Sequence, residues 1–183
     1  EDLLEESKNN YLAALMLAKG ELAVCFADIS TGEIMACAQK CSDPSAEAIS
    51  ELAKFTPSEL LYSQNMEQDP ALSSYVRDRL GCVASSLEKE HCLAEDPAAL
   101  LCEQFQVESV YELGIEEDSL LEKTLAGLVL YVKGTQKDGA KRLSRVTLYG
   151  QDEYMTIDLT ARRNLEITQT MRAGEKRGSL LWV

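Results

Sequence analysis

Long apolar runs are missing from this 183-residue chain. No stretch reaches the roughly 18 residues that cross a bilayer, and the opening residues show no signal-peptide pattern. Positive charge is scarce: 18 Lys and Arg stand against 31 Asp and Glu, a net charge of −13. Nucleic-acid binding depends on Lys and Arg that neutralise phosphates. An acidic body therefore argues against this segment as the main surface gripping DNA or RNA, although another part of a larger protein could supply one. Histidine occurs once, at His91, and no Cys-x-x-Cys pair exists, which leaves zinc poor ligand spacing. No Gly-x-Ser-x-Gly is present, and no Cys–His pair has a third orienting group. The six cysteines fall at 25, 37, 41, 82, 92 and 102, with Cys25, Cys37 and Cys102 in apolar company. They read as small buried hydrophobes of a reducing compartment, because this is not a small loop-rich chain.

The apolar content of 45% fits a globular protein. The stretch 21–39 organises it. In an extended chain Leu22, Val24, Phe26 and Asp28 point one way, and Ala23, Cys25, Ala27 and Ile29 the other. Apolar residues on both faces predict a central strand covered on both sides. Ser30-Thr31-Gly32 predicts a tight turn, and 34–38 a returning strand. With a first strand at 11–17, closed by Lys19-Gly20, this makes an antiparallel meander.

Three of the four prolines share one context: Asp43-Pro44, Asp69-Pro70 and Asp96-Pro97. Asp caps free amides at a helix start, and Pro at the first helical position forgoes no hydrogen bond. The first helix is expected to turn Ala46, Ile49, Ala53 and Phe55 to a core. The second uses Leu72, Tyr75, Val76 and Leu80 and ends at Gly81; the third uses Ala98, Leu101, Cys102 and Phe105. Short strands at 59–62 and 82–87 between them give the strand–helix–strand pattern of a parallel sheet. Ser119-Leu120-Leu121-Glu122 matches a capping box and opens the strongest helix, 120–134. Residues 133–142 read as a loop. Residues 145–149 and 154–158 read as extended pieces leading to a helical segment from Thr160. The charged start at 1–8 and the apolar end at 180–183 suggest a chain cut from something longer.

Four passages resemble the MutS family of mismatch-repair ATPases: Asn9-Asn10-Tyr11-Leu12-Ala13-Ala14; Ala27-Asp28-Ile29-Ser30-Thr31-Gly32-Glu33; Thr135-Gln136; and Asp158 through Arg162-Arg163-Asn164-Leu165-Glu166 to Ser179-Leu180-Leu181-Trp182. The resemblance implies an α/β fold, an RNase H-like mixed sheet flanked by helices, followed by the first segment of an all-α core. Residues 1–8 would be a linker and 9–143 the connector domain. Residues 144–158 would be a connecting segment and 159–183 the start of the helical core, or lever, domain. The family's mismatch-reading Phe-x-Glu motif and its phosphate loop, GxxxxGK[ST], do not occur here. ATP and magnesium would belong to the parent protein, with no cofactor in this segment. Implied partners are a MutL-type protein, the other domains of the parent, mismatched DNA through those domains, and a second parent subunit. A membrane is not implied; the setting would be the bacterial cytoplasm, at the nucleoid.

The expected role is a non-catalytic relay and docking module. The rival is a metal-dependent RNase H-like nuclease, which needs several carboxylates converging on divalent cations. Asp28 lies on an early strand, but Ser-Thr-Gly follows it and local hydrogen bonding accounts for it. Cys82, His91 and Cys92 read as structural, as do Cys37 and Cys41. No catalytic, metal or cofactor residue is therefore assigned. The expected partner surface is the outward side of the third helix: Ala99, Leu100, Glu103 and Gln104. Arg162, Arg163, Arg172, Lys176 and Arg177 are expected to make interdomain contacts. Leu180, Leu181 and Trp182 predict self-association of the 183-residue chain. Sedimentation beside a version ending near Asp158 checks this, and equal monomer mass for both would overturn it.

Overall fold

The computed structural model describes residues 10–150. Expectations for 1–9 and 151–183, Arg162, Arg163, Arg172, Lys176 and Arg177 among them, lie outside the described residues. The first three strands are β1 (Tyr11–Ala18), β2 (Glu21–Asp28) and β3 (Glu33–Lys40), paired antiparallel with Ala14 opposite Cys25 and Cys25 opposite Ala36. The strand β4 (Glu59–Tyr62) joins β1 in parallel, and β5 (Val83–Ser86) joins β4 in parallel. The last described strand, β6 (Arg145–Leu148), runs parallel to β3. The order is β5-β4-β1-β2-β3-β6, with β2 running against the other strands of this sheet. This is the mixed, helix-flanked sheet of an RNase H-like domain.

The alternation along β2 sorts residues between two cores. Leu22, Val24 and Phe26 pack under α1 (Pro44–Phe55) and α2 (Pro70–Tyr75). Ala23, Cys25 and Ala27 pack under α3 (Pro97–Phe105) and α4 (Leu120–Thr135). On the first face Phe26 stacks on Phe55 at 4.1 Å, with Tyr11 and Tyr149 against the same ring. Among the described residues all six cysteines are free. Burial, then the Cys37 charge, pushes the Cys25 thiol far up; burial, then Glu51, pushes Cys37 up to about 11. Neither is a thiolate nucleophile at neutral pH.

The Asp-Pro signals act as expected. Asp43 accepts from Ala46 N–H (3.0 Å), Asp69 from Ala71 and Leu72 N–H (both 3.0 Å), and Asp96 from Ala99 N–H (2.9 Å). The inward face of α1 is the expected one at Ile49 and Phe55, which pack against the first core, and differs at the other two positions. Ala48, Glu51 and Leu52 are buried, whereas Ala46 and Ala53 are exposed. Leu52 and Phe55 set the arc, and alanine is indifferent to which side it takes. After Tyr75 the helix continues as a π-helical turn (Val76–Leu80), Gly81 N–H reaching Val76 O at 3.3 Å. Residues 137–142, expected as loop, form α5 (Lys137–Arg142). The extended piece at 145 is strand β6 of the sheet, so the domain's own structure runs past residue 143. Its fastening is at Gly32 (φ +77°), whose carbonyl accepts from Ser144 N–H (3.0 Å) and Arg145 N–H (3.4 Å). A Cβ there would lie 2.0 Å from Arg142 O.

The expected capping box at 119–122 forms only in part. Ser119 Oγ accepts from Glu122 N–H (3.1 Å), but Ser119 N–H donates to Glu116 O. Glu122 is 2% exposed, and its Oε2 has no hydrogen-bond partner among the described residues. Burial, then the Asp118 and Glu117 charges, raises its carboxyl above the usual range.

Three outcomes follow. Gly32→Ala should lower stability in urea denaturation by more than about 1 kcal/mol, since positive φ and the Arg142 carbonyl both oppose a side chain. Phe26→Ala should cost about 3–5 kcal/mol by the same measurement. Glu122→Gln should stabilise. A carboxyl with a raised folded-state pKa destabilises when ionised, so its cost is full above that pKa and absent below the unfolded value of about 4.3. Melting temperatures of the two proteins should separate at neutral pH and converge on acidification; a gap constant with pH would contradict this.

Candidate functional site

The third helix is anchored on one side and open on the other. Asp96 and Pro97 start it, and Gln106 in the left-handed region (φ 56°) ends it. Leu101 is fully buried, and Ala98, Leu100, Cys102 and Phe105 pack against the same core. Ala99 and Glu103 are exposed, the Glu103 side chain 79% so. Glu103 lies 4.0 Å from Lys133 Nζ near the end of α4, an exposed pair worth little on its own.

The expected outward set therefore divides. Ala99 and Glu103 face solvent as predicted. Leu100 is half-buried against the core. Gln104 is turned to α5, its Nε2 donating to Ala140 O (2.7 Å) and Leu143 O (3.0 Å). A helix covering only one core needs a narrow apolar stripe, and the flanks of that stripe are half-covered. Sequence polarity placed Gln104 outside, but the end of α5 supplies acceptors that the sequence did not reveal.

Next to α3 lies a segment whose signal was legible and unused. In the Ser-x-x-Glu of 109–112, Ser109 caps a 3-10 turn (Val110–Leu113) and Glu112 accepts from Ser109 N–H (3.2 Å). The turn buries Val110 and presents Tyr111, 60% exposed. Lys133 thus borders the open face of α3, and Tyr111 is exposed on the turn that follows the helix. Two half-buried polar links were also unforeseen. Tyr149 OH donates to Glu51 Oε2 (2.8 Å), and Tyr131 OH donates to Glu59 Oε1. Desolvation, then the Glu51 bond, pushes the Tyr149 hydroxyl far up; for Tyr131 the Glu59 bond is the larger cause.

The chemistry-bearing residues singled out elsewhere do not assemble. Asp28 Oδ1 accepts from Ser30 N–H (2.8 Å) and Ser30 Oγ, which hold its carboxyl below the usual range. His91 is exposed, whereas Cys92 is buried and donates to Glu90 O (3.2 Å). Among the described residues no three His, Cys, Asp or Glu side chains converge to hold a metal ion. A groove of about 500 Å³ lies between α2 and β5, lined by Tyr62, Met66, Val76, Cys82 and Ala84. The charges at its rim are already paired, Arg77 with Asp78 and Glu67 with Lys89. No helix of the described residues is long and apolar enough to cross a membrane.

Comparison with known proteins agrees along the whole chain. The family model described as MutS domain II matches residues 10–147. A DNA mismatch repair protein MutS of Clostridium botulinum (strain 657) is 35% identical over 98% of this chain and 18% of its own length. Those of Trichormus variabilis and Ruminiclostridium cellulolyticum are 35% and 30% identical, covering 100% and 99% of this chain and 22% and 20% of their own. The chain thus spans about a fifth of the relatives it matches. With that match, and with a mixed sheet in the arrangement the resemblance implied, the chain belongs to the MutS family and corresponds to its domain II, the connector, with the residues that follow it.

Proposed function

We propose that this segment is a non-catalytic relay and docking module within a MutS-type mismatch-repair ATPase, and that the open face of α3 receives a MutL-type protein. The observation that carries the reading is the division of α3 itself. Leu101 is fully buried, while Ala99 and Glu103 stay open, Glu103 beside Lys133, with Tyr111 exposed on the turn that follows α3. A small apolar centre with a polar rim and an exposed aromatic suits a modest protein interface. ATP and magnesium would act in the parent's ATPase, mismatched DNA would be held by its other domains, and the parent would work as a homodimer in the bacterial cytoplasm. Arg162, Arg163, Arg172 and Arg177 would meet neighbouring domains of the parent.

The nuclease alternative is not favoured. It would rest on Asp28, whose carboxylate is taken up by its own turn. The test is binding of the 183-residue chain to a MutL-type protein from the same genome, beside a magnesium- and manganese-dependent cleavage assay. Saturable binding should weaken by about tenfold or more with Glu103→Lys or Ala99→Glu, as expected of central contacts. Binding untouched by both changes would move the site. Cleavage lost with Asp28→Asn, without MutL binding, would make this an enzyme.

A further inference from the structure

The amide of Gln104 is spent inside the domain, and what it holds leads directly to β6. Its two bonds go to Leu143 O and to Ala140 O, which also accepts from Leu143 N–H (3.2 Å), at the point where α5 ends. Ser144 and Arg145 follow at once, and their N–H groups bond Gly32 O. The other end of β6 also touches the layer that α3 begins. Leu148 Cδ1 lies so close to Gly114, at the end of the 3-10 turn, that a Cβ there would be 2.8 Å away. So α3 holds the segment just before β6, and the turn after α3 packs on the far end of the strand. The strand is short and at the sheet edge, paired to β3 alone among the described strands. Edge elements of this kind open locally at far lower cost than a core strand.

We infer that Gln104 is the joint through which α3 holds β6 in the sheet, so that a partner seated on the open face of α3 changes how readily β6 opens. Opening β6 pulls Ser144 and the end of α5 away from Gln104 and frees α3 to move. A partner that fixes α3 binds the closed state better and opposes opening by that difference in affinity. Gln104 is a positioning residue here: it acts on the side of α3 away from the partner. This second part rests on the docking reading proposed above.

Amide exchange on the 183-residue chain tests it, with Gln104→Met and Gln104→Lys. Methionine keeps the length and removes the donor. Lysine keeps a donor, and its charge suits the carbonyl end of a helix. The amides of Ser144, Arg145 and Tyr149 should exchange about tenfold faster or more in Gln104→Met, as for loss of a local restraint. They should stay near wild type in Gln104→Lys, with Ala14 and Cys25 in the central strands unchanged in both. Equal acceleration by Met and Lys, or none by Met, would overturn the joint. If Gln104→Met also speeds the central strands, rescue of all these amides by Lys supports the joint, and failure of Lys to rescue overturns it. Adding a MutL-type protein should slow exchange at 144–149 in wild type and Gln104→Lys, but not in Gln104→Met. Binding without that slowing would overturn the coupling and leave the docking surface standing. No binding at all would remove the docking surface and the coupling with it, while the Met–Lys contrast still decides the joint.

Discussion

Apolar burial on both faces of the β1–β2 pair governs the rest of this domain. Ala13, Ala14, Leu15 and the run from Leu22 to Ala27 are almost wholly inaccessible, and their side chains alternate between two separate cores. Each core needs its own helical cover, so one face recruits α1 and α2 and the other α3 and α4. The crossovers that place helices on a sheet demand parallel neighbours, and β4 and β5 supply them beside β1. The small residues of β1 and β2 let the helices come close, and the larger Leu and Phe side chains fill what remains. Most of the acidic charge lies on outer helix surfaces and loops; Asp28, Glu51 and Glu122 are the buried exceptions among the described residues.

The later part of the domain is tied back to this frame by polar contacts as well as by the apolar packing of Ala140, Leu143, Val146 and Leu148. The edge strand β6 reaches the sheet through the Gly32 carbonyl and leaves it at Tyr149, whose N–H donates to Ala36 O (3.0 Å). There the Tyr149 hydroxyl meets Glu51 on α1, and its ring packs on Phe55 at 5.4 Å. Glu51 is 4% exposed, yet Tyr149 and Lys54 both donate to it, Lys54 at 2.6 Å. A buried carboxylate is tolerable only with such donors, and removal of one leaves a costly group behind. The exit of the domain and the first helix are thus mutually dependent, although 98 residues separate Glu51 from Tyr149.

The β-meander, the three Asp-Pro helix starts and the long helix α4 were all legible in the sequence. Each rests on local chemistry: alternation, a capping carboxylate, a broad apolar stripe. What was not legible depends on partners distant in the chain. The face of α1 was read around Ala46, Ile49, Ala53 and Phe55; Ile49 and Phe55 do pack inward, and the core around Phe26 shows why Leu52 joins them in place of the two alanines. The sheet's sixth strand looked like a connecting piece because four residues carry no period strong enough to announce a parallel edge. At the candidate interface, Ala99 and Glu103 were readable as exposed. Gln104 was not, since a glutamine beside a helix stripe serves solvent or a neighbouring helix end equally well, and the sequence of α5 was read as loop.

Topology also weighs against hydrolysis at Asp28. Sites on sheets of this kind form at the carboxyl ends of the parallel strands. Asp28 pairs with Tyr11, so it lies level with the amino end of β1, on the one strand that runs the other way. Beyond the carboxyl ends of β4 and β5, two acids already have donors. Glu88 accepts from Gln64 N–H (3.1 Å) and Ser86 Oγ (3.1 Å), and Glu67 accepts from Lys89 and Tyr62. Those bonds splice β4 and β5 to the turns that follow them. Carboxylates already satisfied by donors have little reason to gather around a cation. Among the described residues the fold leaves a helix face and an aromatic exposed and sets a short strand at the sheet edge.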